Sequence, residues 1–271
     1  MEQELHFQLF SSLRYDVLLE TVSTNTENWG NDDKAEWSPF YMLPLHRDRI
    51  LKAAQHFGWD EAVSTISGKE GFTHLLQKLN EAIPADSPSP LRVRTLLSKS
   101  GEITVETNPT PPVSSNNLYP ARIPPPRGLG DNDTVHGDPE RTTPWTVLPD
   151  TKFTTPSPYT SYKTTHRDVY NTARSRVGIE SMTSPQEVLI VSTVDGEIME
   201  GSFTSVFFWR HGKWITPSER CGGQIGTTRR WALERGFCEE GRVEVGMLVD
   251  GEECWVSNGV RGFIWGKVKL M

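Results

Sequence analysis

From Asn108 to about Pro158 the chain is crowded with proline, threonine, serine, asparagine and aspartate, including the runs NPTPP and RIPPPRG. No other feature constrains the fold as much. So polar and proline-rich a stretch buries little and orders poorly unless it docks on a neighbour, and no secondary structure is assigned to it. On either side the hydrophobic pattern is regular, and 271 residues suffice for one large domain or two modest ones. The expectation is an α+β protein with a small N-terminal domain over 1–107, a proline-rich connection and insertion over 108–158, and a C-terminal domain over 159–271.

The N-terminal part mixes both element types. FQLFSSLRYDVLLET (7–21) carries β-branched and aromatic residues around an RYD turn and predicts a strand pair. RDRILKAAQHFGW (47–59) places Ile50, Leu51, Ala54 and Phe57 at helical spacing, and a second helix over 70–84 aligns Phe72, Leu75, Leu76, Leu79 and Ile83. LRVRTLLSKSGEITVET (91–107) predicts a β-hairpin about a Ser-Gly turn. The C-terminal part predicts a helix over 166–178, the strand EVLIVST (187–193) and antiparallel strands through EIMEGSFTSVFFWR and KWITP. A helix over 226–236 follows, with Thr227 or Thr228 as its cap and Gly236 ending it. VEVGMLV (243–249), ECWVSNG (253–259) and FIWGKVKL (263–270) complete the strands. Trp209, Trp214 and Trp231 are assigned either to the core or to an interface.

A formal net charge of −7 argues against a nucleic-acid partner, which calls for a basic face. No apolar run approaches the roughly 20 residues that span a bilayer, so no membrane partner is expected. MEQELHFQLF lacks a basic stretch followed by an apolar one and does not read as a secretory signal. Cys221, Cys238 and Cys254 show no CxxC spacing, which disfavours a disulfide framework or a metal site. A soluble protein of a reducing compartment, the cytoplasm, is expected.

Four local features can carry chemistry. In LHRDRI (45–50), His46 and Arg49 share a helix face and would suit an anion at the helix start, although these residues alone favour ordinary solvated surface. GGQIGTTRR (222–230) puts glycines and two threonines at a helix N-terminus, as either an anion cradle or a capped turn; it matches neither the nucleotide P-loop nor the Rossmann spacing. In GEIMEGSFTSVFF (196–208), Glu200 interrupts an apolar strand and, if held inside, needs a partner to offset its desolvation. SNGVRG (257–262) is a polar loop between apolar strands, equally a plain turn. A lysine among small hydroxyl residues, SYKTTHR (161–167), stands before a helix and by itself reads as solvated.

The succession of these features resembles the class IV aminotransferases, pyridoxal-phosphate enzymes of fold type IV. EIMEGSFTSVFF is similar to the family signature E-G-x-x-x-N-[IV]-F, and ITPSERCGGQIGTTRRW is equally specific; the resemblance covers about 7–107 and 155–268. It implies a small α+β domain, a larger domain on a β-barrel-like sheet, and a homodimer acting on a small molecule. It further implies that Lys163 bears pyridoxal 5'-phosphate covalently and shuttles protons, and that Glu200 contacts the pyridine nitrogen. Arg49, Thr227 and Thr228 would hold the phosphate, with Asn258 and Gly259 in the loop that closes the phosphate cup. Ser205 stands where the family has asparagine, and the proline-rich insertion is longer than the usual linker.

KTTHR resembles the K-x-x-x-R pattern of the lyases in this family, which makes Arg167 a candidate contact for a substrate carboxylate. The chain is most similar to the fungal branch of the 4-amino-4-deoxychorismate lyases, which implies formation of p-aminobenzoate and pyruvate. A transaminase of a D-amino acid, a branched-chain amino acid or an amine is the alternative. A scaffold that has lost the cofactor is disfavoured by the joint presence of Lys163, Glu200, Arg49 and the two threonines.

Overall fold

The computed structural model describes residues 6–25, 37–84, 89–128 and 135–270. They form two units, Met1–Pro112 with Tyr162–His166, and Val113–Ser161 with Arg167–Met271.

The first unit is a three-stranded antiparallel sheet covered on one face by helices. Its strands are β1 (Leu9–Tyr15), β2 (Leu91–Leu97) and β3 (Ile103–Pro109), in that order. Its helices are α1 (Leu43–His56), α2 (Asp60–Ile66) and α3 (Gly68–Ala82). Alternation along β1 turns Leu9, Ser11 and Leu13 to one face. Leu9 packs with Ile50, Ala53, Ala54 and Trp59, and Leu13 with Leu43, Phe72, Leu75 and Leu79. The hairpin forms as expected, from Leu91↔Pro109 to Leu97↔Ile103. Helix α1 begins four residues before the expected start, where Asn25 Oδ1 accepts from the left-handed Met42 at 3.1 Å. Helix α2 is too short for its periodicity to stand out in the sequence.

The strand pair expected over 7–21 does not form. After β1 the chain enters a 3-10 helix, Val17–Thr21, because Asp16 caps it. Its Oδ1 accepts from the Leu18 N–H at 3.1 Å while Arg14 Nε donates to Oδ2 at 2.8 Å. What lies beside β1 instead is the Tyr162–His166 segment. Phe10 N–H donates to Lys163 O at 3.0 Å and Thr165 N–H to Gln8 O at 2.8 Å, which extends the sheet past its β1 edge.

The second unit holds α4 (Ser115–Leu118), β4 (Trp145–Pro149), α5 (Pro158–Ser161), α6 (Asp168–Arg176), β5 (Gln186–Val191), β6 (Ile198–Gly201), β7 (Ser205–Arg210), β8 (Lys213–Pro217), α7 (Thr227–Glu234), β9 (Glu239–Gly241), β10 (Glu253–Asn258) and β11 (Gly262–Val268). The strands form one sheet in the order β6-β5-β4-β11-β10-β7-β8-β9. The sheet curls until its ends meet: Ile198 N–H, in β6, donates to Val243 O at 2.7 Å, just past β9. Val147, Leu189, Ile198, Val206, Phe208, Cys254 and Val256 fill the interior. The fold is α+β, a small antiparallel sheet unit and a larger barrel-like one.

Two expectations fail in this unit, and a stretch to which no secondary structure was assigned holds some. Residues 108–158 are not without structure: β4 comes from them and lies between β5 and β11, parallel to both. Five residues, preceded by Pro144 and ending in Pro149, are too few to reveal a strand by alternation. Prolines earlier in the stretch, whose nitrogens cannot donate, serve as acceptors: Arg141 Nη2 donates to Pro124 O at 2.8 Å and Pro125 O at 2.6 Å. Trp214 Nε1 donates to Ile123 O at 3.0 Å, and Trp214 and Trp231 are both core residues. The stretch 243–249 makes one bridge and a 3-10 helix, Val245–Met247, rather than a strand. Helix α7 is capped by Gly226 without a side-chain bond, so neither threonine is the cap; Gly236, at φ 68°, does end it.

Candidate active site

The candidate residues form two groups, one in each unit. In the first, one turn of α1 sets His46 and Arg49 on the same face, where both meet Ser11 of β1. Ser11 Oγ lies 2.7 Å from His46 Nδ1, and Arg49 Nη2 donates to Ser11 Oγ at 2.5 Å. A guanidinium only donates, so Ser11 accepts from Arg49 and directs its own proton to Nδ1. That leaves the ring proton on Nε2. Burial, then the positive charges of Arg49 and Lys163, hold the His46 pKa well below its ordinary value. Histidine here is a neutral acceptor, and the local positive charge belongs to Arg49 and Lys163. Lys163 is half-buried, its backbone bonded to β1 and its Nζ 5.0 Å from the centre of the Phe10 ring. Lys163 therefore does not simply face water.

In the second unit Glu200 sits on β6, 7% exposed. Tyr170, from α6, points its hydroxyl at Glu200 Oε1 at 2.6 Å, and Gln224 Nε2 lies 3.1 Å from that same hydroxyl. Arg167 stacks on the Tyr170 ring with Cζ 4.0 Å from its centre and donates to Ser202 O. Expected as a substrate contact, Arg167 thus also braces the loop just beyond Glu200.

A second carboxylate, Glu187, is entirely buried one strand away. Its Oε1 accepts from Val188 N–H at 2.8 Å, Ser202 N–H at 2.9 Å and Ser202 Oγ at 2.7 Å. Its Oε2 accepts from Phe203 N–H at 3.3 Å and Thr204 Oγ1 at 2.7 Å. Burial raises its pKa, and these donors oppose the rise. Glu187 ties down the 202–204 loop and explains the glycine after Glu200: a Cβ on Gly201 would meet Thr204 Oγ1 at 2.3 Å and Glu187 at 2.8 Å.

Thr227 and Thr228 open α7, both buried, and Thr228 Oγ1 bonds Ser257 Oγ at 2.7 Å. Asn258 Oδ1 accepts from the N–H groups of Val260 and Arg261 at 3.0 and 2.9 Å, folding the loop over the buried Gly259. Ser205 is paired with Ser257, and a Cβ on Gly226 would come within 2.2 Å of Ser205 Oγ. Hydroxyls and helix N–H groups thus gather where only glycine permits the approach, a donor set suited to a phosphate. Among the described residues no His, Cys, Asp or Glu group is arranged to hold a metal ion.

Sequence reasoning missed Ser11, Tyr170 and Glu187, and gave no role to Gln224 and Ser257 within the motifs it singled out. Glu187 left a trace, as a charge at the head of an apolar strand. The others are ordinary residue types whose partners lie far away in the chain.

The class IV aminotransferase profile matches residues 34–265. The aminodeoxychorismate lyase of Saccharomyces cerevisiae is 30% identical over 264 residues, covering 85% of this chain and 68% of that one. A Schizosaccharomyces pombe protein assigned the same activity is 27% identical, covering 82% of this chain and 81% of its own. Among solved structures, the branched-chain amino acid aminotransferase of Escherichia coli aligns over 98% of this chain and 77% of its own, with TM-score 0.59 and 14% identity. A structure assigned as a 4-amino-4-deoxychorismate lyase aligns over 96% and 84%, with TM-score 0.62 and 19% identity. With its two-unit α+β fold, its signature strand and this match over most of its length, the chain belongs to the class IV aminotransferase family.

Proposed function

We propose that this protein is a pyridoxal-phosphate-dependent lyase that converts 4-amino-4-deoxychorismate to p-aminobenzoate and pyruvate. The observation that carries the assignment is similarity to aminodeoxychorismate lyases across most of the chain, from two fungi. KTTHR, with its lyase-like lysine-to-arginine spacing, supports it. The donor set fits the cofactor. Within the second unit, Thr227, Thr228 and the α7 N-terminus, with Gly226 held against Ser205, make a donor set suited to a phosphate; the family resemblance assigns Arg49 the positive charge.

As the family resemblance implies, Lys163 would bear the cofactor, Glu200 would contact its pyridine nitrogen, and Asn258 and Gly259 would shape the loop beside the phosphate. When bound, the cofactor draws electron density away from the substrate carbon that carries the amine. Lys163 Nζ takes the ring proton from that carbon. Neutral His46 cannot compete as a cation for the phosphate, and it holds Arg49 in place through Ser11. Arg167 steadies the Glu200 loop through Ser202 O and orients a substrate carboxylate. Loss of the enolpyruvyl group then makes the ring aromatic, so positioning is most of what the protein must supply. The same proposal takes the enzyme to be a cytoplasmic homodimer, checked by sedimentation and cell fractionation.

The test is p-aminobenzoate formation from enzymatically generated aminodeoxychorismate with added pyridoxal phosphate. Wild type should yield fluorescent product, and Lys163→Ala should lose on the order of a thousandfold or more in rate, as expected for removal of the acid-base and cofactor-bearing group. A cofactor-loaded wild type that makes no product would overturn the lyase assignment, and transfer between amino donors and keto acids would then identify a transaminase.

A further inference from the structure

Tyr170 has one proton and three neighbours: Glu200 Oε1 at 2.6 Å, Thr160 O at 3.2 Å and Gln224 Nε2 at 3.1 Å. An amide nitrogen can only donate, so the Tyr170 oxygen accepts from Gln224. The proton goes to the shorter, charge-assisted contact with Glu200. The hydrogen bonds therefore run one way, Gln224 to Tyr170 to Glu200. Burial and the Glu200 charge push the Tyr170 pKa well above its ordinary value, so the hydroxyl stays a donor at any working pH. The ring is held from its face by Arg167, which also grips Ser202, two residues past Glu200.

We propose that Tyr170 is the positioning residue that fixes the orientation and basicity of Glu200 toward the pyridine nitrogen, with Gln224 setting the direction of the Tyr170 hydroxyl. The proposal rests on the pyridoxal-phosphate assignment above. Without the Tyr170 donor Glu200 would be more basic, and with the cofactor bound it would compete more strongly for a proton at the ring nitrogen. A less charged ring favours protonation at the lysine-linked end of the cofactor.

The experiment compares wild type, Tyr170→Phe, Glu200→Gln and the double variant by pyridoxal-phosphate affinity and by pH titration of the bound-cofactor absorbance. Thermal unfolding verifies that each is folded. Tyr170→Phe should bind the cofactor roughly tenfold more weakly, because Glu200 is no longer held in the orientation that meets it. It should also move the spectral midpoint upward, in the direction of Glu200→Gln. In the Glu200→Gln background, Tyr170→Phe should change neither quantity. Equal effects in both backgrounds, or an unchanged midpoint, would mean a structural role only and overturn the proposal. Gln224→Leu should shift the midpoint in the same direction by less, and it decides the matter if Tyr170→Phe does not fold. A wild type that binds no pyridoxal phosphate overturns the cofactor assignment itself and this proposal with it, and is distinguished by the first measurement.

Discussion

Two buried charges, one in each unit, are compensated in opposite ways. In the first, Arg14 is fully buried and its charge is met by Asp16, 4% exposed, with an N–O distance of 2.8 Å. In the second, Glu187 is equally buried but faces five neutral donors, two hydroxyls and three backbone N–H groups. An opposite charge compensates strongly but at one point; neutral dipoles compensate from several directions and fix the shape of the loop that provides them. The difference teaches where rigidity is placed. Arg14 Nη1 reaches Pro111 O, so the ion pair secures the end of a hairpin. The Glu187 shell secures the turn that follows Glu200.

This contrast can be broken most severely in the first unit. Asp16→Ala should cost about 3 kcal/mol or more, because it strands the buried Arg14 charge and removes the cap of the 3-10 helix at once. Urea unfolding measures it; a loss below about 1 kcal/mol would mean that water or rearrangement compensates Arg14. Glu187→Gln should cost less, about 2 kcal/mol, since the new amide group sets a donor against donors while one oxygen keeps its partners. Its sharper mark should be local, with faster amide exchange at Ser202–Thr204. A uniform loss without that local change would show that Glu187 does not organise the loop.

The smallest effect concerns pH. His46 is held neutral in the folded protein, with its pKa depressed chiefly by burial, while in the unfolded chain it titrates near its ordinary value of about 6.5. Below that value the unfolded state binds the extra proton, so stability present above about pH 6.5 is lost as pH falls, at up to about 1.4 kcal/mol per pH unit. His46→Asn, which keeps an acceptor toward Ser11, should flatten this part of the profile. Equal slopes for variant and wild type between pH 5 and 6.5 would show that His46 is not the group responsible.

Much of this protein was legible before any coordinates. The hairpin, the α3 stripe of Phe72, Leu75 and Leu79 and the apolar strands β5, β10 and β11 follow from periodicity, because local geometry decides which side chains share a face. The signature around Glu200 and the GTTR helix start identified the family because they are contiguous in the chain. Tertiary structure alone decided the rest. WTVLP becomes an inner strand only because β5 and β11 arrive on either side of it. Asp16 converts an apparent strand turn into a 3-10 helix through a side-chain bond that periodicity does not register. Glu187 and Glu200 read alike in the sequence, as single charges in apolar strands. Their different roles come from Ser202, Thr204, Tyr170 and Gln224, brought in from 15 to 30 residues away by pairing and packing. A charge in low dielectric is defined by what surrounds it, and only the folded chain supplies those surroundings.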